Sequence, residues 1–362
     1  MLLFHKMVDK LQIIGLMSGT SKDGLDIALV AFDVSENDYS FDLISYSTVS
    51  YPRELLDQLN EIEVLSARKI FELDKKIGLF YAHEVNRFIE EKKINKAEIT
   101  AIASHGQTIF HQPTLGFSTQ IGCGTSLAFH TGIKVINDFR NKDILAGGQG
   151  APLVPIGDEL LFKNTAHSFL NIGGFTNISF KKEDKMVAFD ISPGNIPLNL
   201  MANKYDLEYD HEGKIAKSGA LDEVLLSLFN DLSYYKEKAP KSLGTEWLEA
   251  EFLPLMEHYK TASAVMRTLV EHEAIQIAKV LNDENLSSVF VTGGGAKNNF
   301  LMERLQYYYT GKIIIPTPAI IDYKEAIIFA FLGLLYLIGK PNTNPQATGA
   351  SKEVISGVLH MP

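Results

Sequence analysis

The stretch "GLMSGTSKDGLD", residues 15–26, joins two apolar runs and is the first of several glycine-bearing turns in the chain. The run "LQII" precedes it and the run "IALVAFDV" follows it, and both contain the β-branched and large apolar residues typical of strands. A simple hairpin turn needs only about two to five residues. This stretch is longer and combines glycines, hydroxyl residues, a lysine and carboxylates, so we predict that it binds a ligand as well as reversing the chain.

The composition indicates a globular protein with two domains. The chain has 362 residues, of which 46% are hydrophobic and 22% are charged, and that length allows two separate cores. The net charge of −10 argues against nucleic acid or an anionic membrane as a partner, although backbone N–H groups can still bind phosphate locally. Because Cys123 is the single cysteine, we expect no internal disulfide and a reducing compartment.

Two segments bear on targeting and membranes. The N-terminal sequence has neither an apolar core of signal-peptide length nor a small-residue cleavage site. The apolar run at residues 326–339 is shorter than the roughly 20 residues that span a bilayer, and Glu325 and Lys340 flank it. We therefore predict a buried helix there and a cytoplasmic protein with no membrane partner.

The pattern of strands and helices occurs twice. The first half opens with "LQIIGLM", "DIALVAFDV" and "FDLISYSTVS", and the second with "AHSFLNIGG", "FTNISFKK" and "MVAFDISPG". Long helices are predicted over residues 68–93 and 262–282. The fold class is therefore α/β, with similar domains at residues 1–150 and 151–362 and a cleft between them, and the final helix is a candidate to pack back on the first domain.

Three glycine-bearing turns leave predicted strands, at residues 17–24, 171–177 and 291–298. Glycine lets the backbone approach a ligand closely, and consecutive N–H groups in such turns bind anions. The chain has neither a G-x-x-x-x-G-K-[ST] loop nor a G-x-G-x-x-G motif after the first strand.

His105 and His111 could share a metal ion, but we favour polar contacts of both side chains in a loop.

The motifs resemble first a superfamily and then one family within it. Two domains with phosphate-type turns resemble the actin/hexokinase/Hsp70 superfamily of ATP-binding folds, which implies two ribonuclease H-like domains with a nucleotide cleft between them. In order along residues 13–361, the following segments resemble the anhydro-N-acetylmuramic acid kinase family: "GLMSGTSKDGLD", "SHGQTIFHQP", "DFRNKDILAGGQGAPLVP", "LNIGGFTNIS", "FDISPGN", "APKSLGTEW", "VTGGGAKN" and "ATGASKEVISGVLHMP".

The resemblance implies an activity and its cofactors. Family members use ATP and Mg²⁺ to open 1,6-anhydro-N-acetylmuramic acid with water and to phosphorylate the released O6, giving N-acetylmuramic acid 6-phosphate and ADP in cell-wall recycling. The partner implied is this small sugar, and a homodimer is implied by the resemblance alone. Such a reaction needs a base beside C1, in-line placement of O6 and neutralisation of the phosphates.

Asp190 is the candidate base. It follows three apolar residues of a predicted strand and precedes a Pro-Gly turn, so the residues alone fit either a base facing the cleft or a cap on the next helix. The resemblance assigns it the role of catalytic base.

The resemblance also assigns the binding residues, by position in this sequence. The nucleotide-binding residues are Gly19, Thr20, Ser21, Lys22, Asp23, Gly24, Leu25, Asp26, Gly173, Gly174, Thr176, Gly293, Gly294 and Gly295. The substrate-binding residues are His105, Gly106, Gln107, Thr108, Asp138 and Arg140. Arg140 suits the lactyl carboxylate of the sugar, or it forms an ion pair with Asp138 or Asp143. Because Met17 replaces the superfamily's usual metal-site aspartate, Asp23 or Asp26 is a candidate to serve Mg²⁺ through water. The alternative for Asp26 is that it caps or orients the turn.

The sequence departs from the family pattern mainly near the predicted base. Ile191 and Ser192 replace a threonine and a glycine, Asn199 stands at an acidic position, and Leu243 and Thr245 replace a threonine and an arginine. The first-domain turn is intact, so these changes bear on the sugar more than on the nucleotide. A kinase of a related sugar and a catalytically silent ATP-binding protein therefore remain as alternatives.

Overall fold

The computed structural model describes residues 10–19, 22, 24–35, 38–183, 185–239, 241–256 and 261–362. The chain divides into two compact units, one running up to Phe162 and including Tyr323–Pro362, the other comprising Lys163–Asp322. The predicted division at residue 150 is therefore corrected. The segment at residues 151–162 and the last part of the chain both belong to the first unit, because they pack on its sheet.

The strands form two sheets. The strands are β1 (Leu11–Ser18), β2 (Leu25–Val34), β3 (Tyr39–Val49), β4 (Ile99–Gln112), β5 (Phe117–Ile121), β6 (Val135–Asn137), β7 (Ser168–Ile172), β8 (Phe175–Lys182), β9 (Lys185–Pro193), β10 (Ser288–Thr292), β11 (Lys312–Ile314) and β12 (Val358–His360). The first unit has the order β12-β6-β4-β1-β2-β3, with β5 paired to β4, and the second has the order β11-β10-β7-β8-β9.

The helices follow the strands in both units. They are α1 (Arg53–Asn60), α2 (Ala67–Glu91), α3 (Gly124–Thr131), α4 (Asn141–Leu145), α5 (Val154–Leu160), α6 (Asn195–Ala202), α7 (Lys214–Ser218), α8 (Glu223–Asp231), α9 (Thr245–Trp247), α10 (Ala262–Asp283), α11 (Asn299–Tyr308), α12 (Pro318–Leu337) and α13 (Pro345–Thr348). Each sheet opens with three antiparallel strands, β1–β2–β3 and β7–β8–β9, so the predicted repeat of architecture is confirmed.

Several elements lie where the sequence predicts them. The helix predicted over 68–93 is α2, whose first turn is capped by Ser66 and whose buried side chains, Leu73, Ile77 and Tyr81 among them, recur at helical spacing. The helix predicted over 262–282 is α10. The short strands β5 and β12 were not predicted, since strands of this length carry little alternation of their own.

Helix α12 packs on the sheet of the first unit from Tyr323 onward. Phe331 contacts the rings of Phe32 and Tyr39, and much of the segment at residues 326–335 is fully buried. A Cβ added at Gly333 would lie 2.6 Å from the Cβ of Ala103. This confirms a buried helix in that segment, and among the described residues no helix has the length and apolarity needed to cross a bilayer.

The closest approach between α12 and β1 is at Gly15. A Cβ added there would lie 1.9 Å from the carbonyl oxygen of Ala326, a backbone atom that cannot swing aside. We therefore expect Gly15→Ala to destabilise the protein by about 1–3 kcal/mol, the usual cost of overpacking a core. Thermal unfolding measures the effect. Gly244→Ala is the matched control, because its Cβ would meet only the end of the Glu246 side chain. Equal melting temperatures for the two variants would contradict this account of the packing.

Candidate active site

The first glycine turn links β1 to β2. Of its predicted nucleotide-binding residues, Thr20, Ser21 and Asp23 lie outside the described residues. The Gly19 carbonyl accepts a hydrogen bond from the Lys22 N–H at 3.1 Å, and Lys22 has a left-handed backbone with φ 59°. The Lys22 ammonium donates to the carbonyl oxygen of Leu59 at 3.0 Å and to the Asn60 side chain at 3.1 Å. The turn is thus tied to the C-terminal end of α1.

Asp26 lies on β2 directly opposite Met17. Its Oδ1 accepts a hydrogen bond from the Thr48 hydroxyl at 2.6 Å, and it interacts electrostatically with Glu325. Mg²⁺ keeps several waters and takes one or two carboxylates together with phosphate oxygens. Over the residues that the structure describes, no group of three or more acidic, histidine or cysteine side chains is placed to hold a metal.

The predicted sugar-binding residues His105, Gly106, Gln107 and Thr108 all lie on β4, so the predicted loop around His105 and His111 is wrong. His111 is paired with the Ser118 hydroxyl at 3.0 Å. The Nε2 atom of His105 accepts from Arg140, at 3.1 Å from Nε and 2.8 Å from Nη2. Burial, with the Arg140 charge as a second cause, lowers the pKa of His105 to about 3, so the imidazole is neutral.

Arg140 and Asp138 follow β6, but they do not pair with each other. Arg140 donates from Nη1 to the carbonyl of Gly150 at 2.7 Å, and among the described contacts it forms no ion pair with Asp138 or Asp143. Asp138 instead accepts from the Asn141 side chain at 2.7 Å, and burial raises the pKa of its carboxyl. The alternative of an Arg140 ion pair with these aspartates is therefore not what the structure contains.

Glu325 joins this group and was missed in the sequence. It interacts electrostatically with Arg140, Lys324 and Asp26. In the sequence, Glu325 directly precedes the apolar run that begins at residue 326. A charged residue at the end of an apolar run is common, so its position gave no sign of a functional role. Only the seating of α12 on the sheet brings it beside Arg140.

Asp190 lies on β9 at a β-bulge. Asn177 of β8 pairs with Asp190 and Thr176 pairs with Ser192, so Ile191 is the extra residue. The Asp190 carboxylate accepts from the Leu243 N–H at 2.8 Å, and its own carbonyl accepts from the Tyr234 hydroxyl at 2.6 Å. Burial raises the pKa of the carboxyl, against the Leu243 hydrogen bond that lowers it. Helix α6 has Gly194 as its N-cap without a side-chain cap bond, so the alternative that Asp190 caps it is wrong.

The bulge determines which side chains share the face with Asp190. Residues paired across strands lie on the same face of a sheet, and Asn171, Asn177 and Asp190 are paired in succession across β7, β8 and β9. The two asparagines therefore form a polar row with the predicted base. The sequence analysis did not single out either asparagine, although they are the first and last residues of the glycine-bearing turn at residues 171–177. The prediction for that turn rested on its glycines and on Thr176.

The departures from the family pattern at Ile191 and Ser192 lie away from that row. Without a bulge, Ser192 would share a face with Asp190, but the extra residue places it on the opposite face. Ile191 is 2% exposed within the core of its unit, and Ser192 is fully buried. These two substitutions therefore change the packing beneath the site, whereas Leu243 reaches Asp190 through its backbone N–H.

The second glycine turn caps helix α6. The carbonyls of Gly173 and Gly174 accept from the N–H groups of Asn195 at 2.8 Å and Gly194 at 2.9 Å. A Cβ at Gly194 would lie 2.5 Å from the Gly173 oxygen, so this close approach requires glycine. Thr176, a predicted nucleotide-binding residue, is fully buried, and its hydroxyl donates to Glu273 of α10.

The third glycine turn borders a cavity of about 350 Å³ in the second unit. Gly294 lies in its wall, together with Asn195, Leu198, Asn199, Tyr209, Asp210, Glu212, Lys297 and Asn298. Gly293 and Gly295 serve a different purpose, because a Cβ on either would collide with Ile172 of β7. Of the three predicted glycines, Gly294 is thus the one that borders open space.

The fold and these turns define a class of protein. Two α/β units, each opening with three antiparallel strands and a glycine turn, with a polar row and an aspartate at a bulge, form a two-domain sugar kinase. The family model described as anhydro-N-acetylmuramic acid kinase matches residues 11–362. The chain belongs to the anhydro-N-acetylmuramic acid kinase family.

Relatives from this family match nearly the whole chain. An anhydro-N-acetylmuramic acid kinase of Shewanella loihica is 38% identical over 96% of this chain and 97% of its own length. That of Vibrio vulnificus strain YJ016 is 35% identical over the same shares. Among solved structures, the activator of the 2-hydroxyisocaproyl-CoA dehydratase of Clostridium difficile, with bound ADPNP, is similar at a TM-score of 0.44 and 11% identity, covering 89% of this chain and 94% of that one. A TM-score this low adds nothing to the argument.

Glu273 makes stability depend on pH. Burial raises the pKa of its carboxyl from 4.5 to about 7, with the Thr176 hydrogen bond opposing the rise. Since the folded protein holds this proton more tightly than the unfolded chain, stability contributed by the neutral form is lost as the pH rises through 7. Glu273→Gln keeps the neutral form at every pH. We expect its melting temperature to rise relative to that of the parent between pH 5 and pH 8, corresponding to roughly 1–3 kcal/mol in the free energy of unfolding at the upper end.

The control for this measurement is Glu249→Gln on the exposed surface of the same unit. It should follow the parent across the whole pH range. A constant difference between Glu273→Gln and the parent would show that Glu273 titrates normally.

Proposed function

We propose that this chain is an ATP-dependent kinase that opens 1,6-anhydro-N-acetylmuramic acid with water and phosphorylates O6, with Asp190 as the base. The observation that carries the proposal is the Asp190 carboxylate at the β9 bulge, half-buried, held by the Leu243 N–H and aligned with a row of asparagines. A fixed carboxylate beside polar amides suits a group that must orient water and take its proton. The role is in the recycling of peptidoglycan, as in the family.

The reaction balances as a single coupled displacement. The oxygen of water bonds to C1 of the sugar while the bond between C1 and O6 breaks, and the water proton passes to the Asp190 carboxylate. O6 then carries the electron pair to the γ-phosphoryl group and ADP leaves. The raised pKa of Asp190 supports this role, since a carboxylate with a pKa above its usual range binds the water proton more strongly.

The nucleotide is proposed to bind along the glycine turns. In the first unit, Gly19, Lys22, Gly24 and Leu25 form the described part of the turn that would hold phosphates. In the second unit, the 350 Å³ cavity beside Gly294 has room for a nucleoside, and the Asn199 amide in its wall is a candidate to contact the sugar or the base. Asn199 replaces the family's acidic residue at this cavity, so it bears on the nucleotide rather than on the sugar.

Mg²⁺ is proposed to accompany ATP, with Asp26 as its protein neighbour through water. Asp26 is held in place by Thr48, and a magnesium ion there would neutralise charge on the phosphates. Asp23 stays a second candidate, outside the described residues.

The sugar is proposed to bind against His105 and Arg140, with Asp138 and Thr108 as further candidates. Three of the five Arg140 N–H groups are used by His105 and Gly150 in the described contacts, which leaves two for a carboxylate. The lactyl group of the substrate has such a carboxylate. Because His105 is neutral, it orients the guanidinium through two hydrogen bonds and leaves the charge of Arg140 available to a carboxylate.

The compartment and the assembly are proposed from the sequence. A cytoplasmic location is supported by the single cysteine, and a homodimer by the family resemblance.

Asp190→Asn removes the proton acceptor but preserves the shape of the side chain. We expect kcat for sugar-dependent ADP release to fall by about 10²–10⁴-fold, the usual contribution of general base catalysis, while ATP still binds. Coupled-assay kinetics with ATP, Mg²⁺ and the anhydro sugar measure this. Asp231→Asn on the exposed surface of α8 is the control and should keep parental activity. Normal turnover by Asp190→Asn would remove this residue from the role, and no sugar-dependent ADP from the parent would overturn the proposed function.

Gly294→Leu tests the nucleotide cavity. A Cβ at Gly294 meets nothing nearer than the Asn195 amide at 3.4 Å, so the larger side chain can be accommodated by filling the cavity. We expect KM for ATP to rise by about tenfold or more with little change in melting temperature, since 1.4 kcal/mol of lost binding is a factor of ten. Ser227→Leu, on an exposed position of α8, adds the same bulk elsewhere. An unchanged KM in Gly294→Leu would place the nucleoside outside this cavity.

A further inference from the structure

A buried amide joins the strand that carries the predicted sugar residues to the turn predicted to bind phosphate. Gln107 of β4 is fully buried. Its Oε1 accepts from the Ser18 hydroxyl at 2.5 Å, and its Nε2 donates to the carbonyl of Gly19 at 3.1 Å. Ser18 is the last residue of β1, and Gly19 is the first residue of the turn.

Two tyrosines extend this contact into the core. The Tyr51 hydroxyl lies 2.7 Å from the Ser18 hydroxyl and 2.7 Å from the Tyr81 hydroxyl. Burial raises the pKa of both phenols, so each stays neutral and able to donate. Because buried polar groups are costly when unpaired, the chain of hydroxyls holds Gln107 in a single orientation.

The path of β4 explains why Gln107 faces the turn. Between the pairs Leu16–Ser104 and Ser18–Gln107, β1 advances by two residues and β4 by three. Gly106 makes this possible with a φ of +76°, and a Cβ there would lie 2.8 Å from the Ile121 carbonyl oxygen. The irregularity lets His105 and Gln107 have separate tasks. His105 contacts Arg140, and Gln107 contacts Ser18 and Gly19.

We propose that Gln107 is a positioning residue that couples sugar binding at His105 and Arg140 to the position of Gly19, where the predicted phosphate turn leaves β1, so that each ligand strengthens the binding of the other. The inference rests on the proposed function. A ligand on Arg140 fixes the His105 end of the bulge, and the rigid bulge then holds the Gln107 amide against the Gly19 carbonyl. By thermodynamic linkage the effect is equal in both directions.

This role replaces direct contact between Gln107 and the sugar, which the sequence resemblance implies. A fully buried amide with both its oxygen and its nitrogen engaged inside the protein has no surface to offer a ligand. Its effect on the sugar must then be indirect and must depend on the nucleotide.

The experiment measures binding of a non-hydrolysable ATP analogue by calorimetry, with and without saturating anhydro sugar, in the full-length protein with Mg²⁺. In the parent, we expect the sugar to lower Kd for the analogue by about fivefold or more, the usual range of such coupling. In Gln107→Leu, which removes the hydrogen bonds to Ser18 and Gly19 together with those to Tyr51 and Thr108, that ratio should fall toward one. Tyr51→Phe, which loosens Ser18 but preserves the Gln107 contact with Gly19, should give an intermediate ratio and guards against misfolding of the first variant.

The control is Gln12→Leu, at the other end of β1, where the amide contacts Glu98. It should keep the parental ratio. A parental ratio of one, an unchanged ratio in Gln107→Leu, or an equal loss in Gln12→Leu would each overturn the inference. So would a loss of sugar binding in Gln107→Leu that is the same with and without nucleotide, because that is the signature of direct contact. Sugar-dependent ADP release by the parent is measured in parallel, and its absence would count against the proposed function instead.

Discussion

The alternation of side chains along a strand is the constraint on which the placement of the predicted site residues in each unit depends. A regular strand presents every second side chain to one face, so neighbouring polar residues cannot all face a ligand and also avoid the core. The protein departs from this alternation at two points. At β9 the extra residue Ile191 separates Asp190 from Ser192, and at β4 the turn at Gly106 separates His105 from Gln107. Each irregularity places two polar side chains on opposite faces of the sheet, where a regular strand would place them on the same face.

The glycines of the second unit's turns fall into two groups, those that tight packing requires and one that borders a cavity. Gly194, Gly293 and Gly295 are required by close approach to the backbone or to Ile172 inside the second unit, independent of any ligand. Gly294 borders the cavity and has space around it. A glycine-rich turn in a sequence is therefore evidence for tight packing as much as for phosphate, and the distinction depends on what lies within a few ångströms of the missing Cβ.

Two buried titratable side chains, His105 and Glu273, lie next to predicted binding residues. His105 is held neutral by burial beside a guanidinium, and Glu273 is driven toward its neutral form by burial behind Thr176. Both would be costly as charges in the interior, so His105 stays neutral and Glu273 binds its proton more tightly than an exposed carboxyl. This arrangement fixes β4 and β8 at the points where the predicted sugar and phosphate residues leave the sheets.

The sequence by itself determined the α/β class, the repeated three-strand opening, the long helices α2 and α10, and the family, because periodicity and motifs are local properties of the chain. It also drew attention to Asp190. The tertiary structure decided the rest. It assigned α12 from Tyr323 onward and residues 151–162 to the first unit, placed Glu325 beside Arg140, aligned Asn171 and Asn177 with Asp190, and turned Gln107 into the core. These facts depend on strand register and on which distant segments pack together, and the interactions that set them join residues far apart in the sequence.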